Sequence, residues 1–216
     1  MRIGLMGGTF NPVHLAHLHI AEEARQACDL DRVVFIPAGD PPHKPLAGEV
    51  PFARRSRMVM LAISGNPFFE LSEIEGERTG KSYSIDTIQA FRKRFPQDEI
   101  YFIIGSDSFL EIGLWHCFRE IFASCSLIVV ERPGKHISDP AMALPVAIRA
   151  EFSYTPGAGR LDHTSGTSVR FLSGCPLDIS SSEIRTLAAS GRSIAHLVPP
   201  QVAAYITEQG IYNTCR

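Results

Sequence analysis

The sequence predicts a doubly wound, Rossmann-like α/β fold: a parallel sheet with helices on both faces and a small C-terminal helical portion over about residues 178–216. Three observations carry that prediction. Four continuous apolar runs of strand length, Ile3–Met6, Arg32–Ile36, Ile100–Ile104 and Leu127–Val130, suit strands covered on both faces. Helix-patterned stretches separate them, and β–α alternation at this spacing implies right-handed crossovers. The composition, 44% hydrophobic and 20% charged over 216 residues, supports a full core and fits a single domain over 1–216.

Taken in order, the first strand runs into Gly7-Gly8 and a turn at Asn11-Pro12 before a helix over about 15–27. The second strand is followed by the proline-rich segment Pro37 to Pro45 and a helix over about 52–64. Helical spacing returns at 84–94, ahead of the third strand, and at 107–123, ahead of the fourth. The Gly/Ser/Thr-rich stretch Thr155–Ser168 reads as a mobile loop, and helices are expected near 181–190 and 200–209.

The charge balance narrows the function. With 21 Lys plus Arg against 23 Asp plus Glu, the net charge of −2 argues against wholesale nucleic-acid binding, while a local basic groove for a small phosphorylated ligand stays open. No apolar run is long enough to span a bilayer, and the start of the chain lacks the pattern of a signal peptide. Cys28, Cys117, Cys125, Cys175 and Cys215 are odd in number and form no C-x-x-C. They read as reduced thiols, so the expected location is the cytoplasm, with no membrane partner.

In a doubly wound sheet, ligands bind at the carboxyl ends of the strands, so the residues after each strand matter most. After the first come Gly7-Gly8-Thr9-Phe10-Asn11-Pro12-Val13-His14-Leu15-Ala16-His17. Two glycines allow close backbone approach. His14 and His17, three apart at a helix N-terminus, can face one anion; a capped turn with surface histidines is the bland alternative. A metal site on His14, His17 and His19 lacks a carboxylate at ligand spacing. Gly80-Lys81-Ser82 imitates the end of a P-loop, but Glu75 occupies the required glycine position.

A second cluster, Asp178-Ile179-Ser180-Ser181-Ser182-Glu183-Ile184-Arg185, has the Ser180–Glu183 spacing of a capping box. It also carries more hydroxyls, and a cation nearer the helix start, than a cap needs. Pro41-Pro42-His43-Lys44 offers two more cationic groups. Gly105-Ser106-Asp107 places a carboxylate where a ribose hydroxyl could bond, unless Asp107 is only an N-cap. Trp115, the only tryptophan, is either a core residue or a stacking surface beside a cleft.

The first and last of these clusters together resemble the paired signature of the nucleotidylyltransferase superfamily: an H-x-G-H element, then an I-S-S-T-x-x-R-like element. Within it the chain most resembles the bacterial nicotinate-nucleotide adenylyltransferases. Pro41-Pro42-His43-Lys44, Ser82-Tyr83-Ser84-Ile85-Asp86-Thr87, Gly105-Ser106-Asp107 with Leu114-Trp115-His116, and Arg132-Pro133-Gly134 match as well, as does the tail from Leu197 to Tyr212. Ala16 replaces the usual glycine between the histidines, and Ser182 stands where threonine is common. Residues 135–175 match least, and no function is carried onto them.

The resemblance implies a reaction of ATP with nicotinate mononucleotide, giving deamido-NAD and pyrophosphate. It implies His14, His17, Lys44 and Arg185 as the catalytic set. Around ATP it implies Gly7, Gly8, Thr9, Phe10, His17, Gly105, Asp107, Arg132, Ser180, Ser181 and Arg185; around the mononucleotide, His43, Lys44, Ser84, Trp115 and His116. Mg²⁺ would travel with ATP, without dedicated protein ligands. Oligomeric state is left open, a homo-oligomer included. Rival expectations are a related enzyme acting on nicotinamide mononucleotide or phosphopantetheine, a metal-dependent hydrolase, and a non-catalytic ATP-binding regulator.

Overall fold

The computed structural model describes residues 1–41, 50–131, 133–134, 136–155, 159–173 and 176–213. Its strands, β1 (Arg2–Gly8), β2 (Arg32–Pro37), β3 (Phe69–Leu71), β4 (Glu99–Gly105), β5 (Ser126–Val130), β6 (Phe152–Thr155), β7 (Arg160–His163) and β8 (Ser168–Leu172), form one sheet. Their order is β3-β2-β1-β4-β5-β8-β7-β6. From β3 to β8 neighbours pair in parallel; β7 alone runs against both of its neighbours.

The continuous apolar runs are explained by two cores, one on each face. In β2, Val33 and Phe35 enter one core while Val34 and Ile36 enter the other; in β4, Tyr101 and Ile103 oppose Ile100, Phe102 and Ile104. Successive side chains of a strand point to opposite faces, so a strand covered on both needs no polar positions. The first core is closed by α1 (Leu15–Ala27), α2 (Phe52–Ile63), α7 (Ser181–Ala189) and α8 (Pro200–Glu208). The second is closed by α3 (Ser84–Arg94), α4 (Ser106–Leu110) and α5 (Phe118–Ser124), with the short α6 (Pro140–Ala143) packed beside it.

Three expectations change. The single helix over 107–123 is three pieces, α4, a 3₁₀ turn at Ile112–Leu114, and α5. Trp115 is extended, and Cys117 sits in the left-handed region at φ +49°, a conformation no helix can pass through. The stretch 155–168 is not simply a loop, because it contains β7. There Leu161 and His163 alternate inward with partly exposed Arg160 and Asp162, a two-residue period obscured by the surrounding Gly, Ser and Thr. The sheet therefore ends in an antiparallel addition, and β3, three residues long, extends its other edge through Phe69 packed on Phe35.

Strand order reverses between β1 and β4. The loops leaving their carboxyl ends diverge to opposite faces, and the crevice between them is where a ligand fits.

Candidate active site

A cavity of about 710 Å³ opens at that crevice. From the first loop it is lined by Gly7, Gly8, Thr9, Phe10, His14 and His17. Gly105 and Asp107 line it after β4, Ser84 at the start of α3, Trp115 and His116 before α5, and Ser181 and Arg185 from α7. Residues far apart in sequence are thus brought to one place. Ser180 is not among the lining residues. Its hydroxyl accepts the Glu183 amide at 3.1 Å and caps α7. Asp107 is not an N-cap; Gly105 holds that position, and Asp107 lies in the first turn of α4. His43, Lys44 and Arg132 fall outside the described residues.

The first loop is built around Phe10, which adopts φ +47° with its ring packed against Phe35 and edge-on to His17. A Cβ on Gly8 would come within 3.0 Å of that ring, so this position takes glycine. His14 is buried, and its imidazole stacks on that of His17 with ring centroids 3.7 Å apart. His17 Nδ1 accepts the His14 amide N–H at 3.2 Å. In a neutral ring the proton then sits on Nε2, which makes that nitrogen a donor. His19 lies on α1 beside Glu23 and does not line the cavity.

The C-terminal elements grip the same loop. Ser181 Oγ donates to the Pro12 carbonyl at 2.9 Å, and Arg185 donates through Nη1 to the Asn11 carbonyl at 2.9 Å and through Nη2 to Ser182 Oγ at 3.0 Å. Tyr212 donates its hydroxyl to Asn11 Oδ1 at 2.6 Å, and burial pushes its pKa up.

On the opposite wall, Trp115 is half-buried and meets Phe102 edge-on at 6.3 Å, while Tyr83 and His116 lie 4.3 Å apart between ring centroids. The same cavity is lined by Glu75, the residue that stands at the glycine position of the P-loop imitation. It is buried and accepts a hydrogen bond from Thr87 Oγ1 at 2.7 Å. Burial pushes its pKa up, against the lowering effect of the Thr87 and Ser82 hydroxyls, Arg78 and the Gly39 amide. Gly39 is constrained in turn: a Cβ there would sit 2.3 Å from the Glu75 carbonyl oxygen. Among the described residues, no group of three or more His, Cys, Asp or Glu side chains is placed to hold a metal ion.

The likeness to known proteins agrees with this geometry. Residues 5–187 match the family model described as cytidylyltransferase-like. A protein of Pelobacter propionicus named "Probable nicotinate-nucleotide adenylyltransferase" is 69% identical with all of both chains covered. A Geobacter metallireducens protein of the same name is 59% identical over 99% of each. The chain belongs to the nicotinate-nucleotide adenylyltransferase family. Its fold is also that of a Plasmodium falciparum nicotinic acid mononucleotide adenylyltransferase solved in complex with NaAD. That chain is 18% identical, with a TM-score of 0.75, 98% of this chain and 97% of that one being covered. The matched span takes in the loop after β1, and it is this loop that Ser181, Arg185 and Tyr212 hold. No helix among the described residues is long and apolar enough to cross a membrane.

Proposed function

We propose that this protein joins ATP to nicotinate mononucleotide, releasing pyrophosphate and forming deamido-NAD, and that the whole chain works as one catalytic unit in the cytoplasm. The observation that carries the reading is the pairing of two unlike walls in one cavity: a phosphate loop with stacked His14 and His17 on one side, and Trp115, His116 and Ser84 on the other.

In this reading a phosphate oxygen of the mononucleotide attacks the α-phosphorus of ATP in line. The new P–O bond forms as the bond from the α-phosphorus to the bridging oxygen breaks, and pyrophosphate leaves with the electron pair. A phosphate dianion is already a nucleophile, so the protein has only to align the partners and neutralise charge. His17 donates from Nε2 to the phosphates, with His14 stacked against it, and Arg185 adds a fixed positive charge. The backbone of Gly7, Gly8, Thr9 and Phe10 allows the triphosphate to approach, with Ser181 beside it. The family resemblance assigns Arg132 and Ser180 to ATP, His43 and Lys44 to the mononucleotide, and Lys44 to the catalytic set as well. Gly105 and Asp107 meet the adenosine. Mg²⁺ carried in with ATP would be held by phosphate oxygens and water rather than by dedicated protein ligands, and would supply charge neutralisation at the leaving pyrophosphate.

Trp115 stacks on the pyridinium ring, where cation–π attraction contributes about 0.5–2 kcal/mol. Backbone amides at Ser84 and His116 face the carboxylate. A neutral carboxamide would turn its own NH₂ donors toward those amides, so the nicotinamide analogue is disfavoured. The test is pyrophosphate release with ATP and each pyridine mononucleotide in turn. Release with the nicotinate form, and much less with the nicotinamide form, is the expected result. ATP binding without pyrophosphate release from either would overturn the proposal.

A further inference from the structure

Arg55 is the largest fully buried side chain of the described residues, at 0% exposure, yet it sits on α2 rather than in the cavity wall. Each of its three nitrogens donates to a backbone carbonyl: Nη1 to Thr9 at 2.8 Å, Nε to Val50 at 3.2 Å and Nη2 to Gly39 at 3.5 Å. Burying a guanidinium carries a large desolvation cost, and an apolar side chain of similar volume would pack this face of α2 without it. Packing therefore gives no reason for an arginine here, whereas the direction of the Thr9 carbonyl does.

In a planar trans peptide the C=O and the next N–H point opposite ways. Arg55 draws the Thr9 carbonyl away from the cavity, so the Phe10 N–H is turned back toward it. Other carbonyls of the loop are held too, although the cis Asn11–Pro12 bond has no N–H to turn. Ala38 N–H donates to the Gly8 carbonyl at 2.8 Å, Arg185 to that of Asn11 and Ser181 to that of Pro12. Phe10 is also held at φ +47°, a conformation that a bulky residue keeps only when its surroundings fix it, and one that turns successive amides toward a shared anion. Ala38, Arg185 and Ser181 themselves line the cavity; Arg55 does not, and it can act only through the loop.

We propose that Arg55 is a positioning residue for phosphate binding: its buried guanidinium sets the Thr9–Phe10 peptide so that the Phe10 amide faces the triphosphate of ATP. This rests on the reading of the cavity as an ATP site.

The test is Arg55→Lys, which keeps the charge but offers a point where the fork met several carbonyls. Arg55→Gln, which keeps an amide donor without the charge, is measured in parallel, so that the same quantities can be read if one variant does not fold. Both should lower kcat at least about tenfold, since misplacing a reacting group by ~1 Å can cost ~10²-fold. Both should raise KM for ATP while KM for nicotinate mononucleotide stays within about twofold. Combined with His17→Ala, the loss in kcat should be less than the product of the single losses, because both residues act on the same phosphates. Unchanged kcat and KM for ATP, or equal rises in both KM values with a fully multiplicative double variant, would overturn the proposal. A wild-type protein that releases no pyrophosphate but binds ATP would instead sink the catalytic reading, and Arg55→Lys would then still be scored by ATP affinity.

Discussion

The two walls of the cavity are held in different ways. On the side proposed for the phosphates, the carbonyls of Gly8, Thr9, Asn11 and Pro12 each accept a donor from elsewhere in the fold, His14 is buried, and Tyr212 reaches back from the turn after α8 to Asn11. On the ring side, Trp115 and His116 stand between a five-residue helix and a left-handed Cys117, with Leu114 beside them 79% exposed. Aromatic edges and faces supply the contacts there. The difference teaches where precision is needed. Charge that develops at phosphorus is stabilised only by donors fixed in advance, whereas a flat cationic ring is recognised by any well-placed aromatic surface.

The strongest way to break this comparison is His17→Ala. If the phosphate wall carries the chemistry, kcat should fall ~10²–10³-fold, the typical cost of losing one preorganised donor, with little change in Tm. Turnover near that of the wild type would take His17 out of the mechanism and remove the contrast between the walls.

Arg185→Ala sharpens the same wall. Its guanidinium is partly exposed, lines the cavity and holds the Asn11 carbonyl, so its loss should weaken ATP roughly 10–100-fold, the range for a hydrogen bond to a charged group. Affinity for the mononucleotide should barely move. Titrating both ligands separates this from a helix-surface arginine, for which neither affinity would change.

How much of this was legible beforehand differs between the same two walls. That the first loop and the start of α7 meet at one cavity could be read because their residues lie in two short runs, Gly7 to His17 and Ser180 to Arg185, at strand and helix ends where ligands bind, though Ser180 itself does not line it. Arg55 was harder to see between Arg54 and Arg57, although Phe52, Arg55, Ser56 and Val59 share one helix face by spacing. Glu75 was not legible at all: of Glu70, Glu73, Glu75 and Glu77 it alone is buried, with Gly39 close against its backbone and Thr87 on its carboxylate, contacts set by tertiary packing. The β6–β7–β8 addition was hidden for a related reason, since its alternation spans too few residues to stand out from Ser, Thr and Gly.

The ring wall is tested by Trp115→Ala, which should cost about 1–3 kcal/mol of mononucleotide affinity, by analogy with base–aromatic stacking. Because Trp115 is the only tryptophan, the mononucleotide should also quench wild-type emission saturably, and ATP should do so much less. Half-burial against Phe102 permits a second outcome. A variant that melts early, with emission of the wild type untouched by the mononucleotide, would make Trp115 a packing residue and leave the ring wall unassigned.

The smallest effect concerns Glu75, a buried residue that lines the same cavity. Its carboxyl is buried and its folded-state pKa is raised, the Thr87 and Ser82 hydroxyls, Arg78 and the Gly39 amide offsetting the desolvation only in part. Arg55, on α2, is the other cation whose field it shares. A carboxyl whose pKa is higher folded than unfolded holds its proton more tightly in the native state. Its contribution to stability is thus greatest below the unfolded value, near 4.3, and declines as pH rises through the folded value. Glu75→Gln cannot ionise, so its Tm relative to the wild type should rise with pH across that interval and level off above it. Each kcal/mol of that change would move Tm by about 2–4 °C in a chain of this length. Loss of the ionised form's acceptors sets a constant offset, so the slope with pH is the quantity to read. A Tm difference that falls with rising pH would mean that Arg55 and Arg78 outweigh burial, that Glu75 is a stabilising anion, and that its part of the lining belongs with the charged wall.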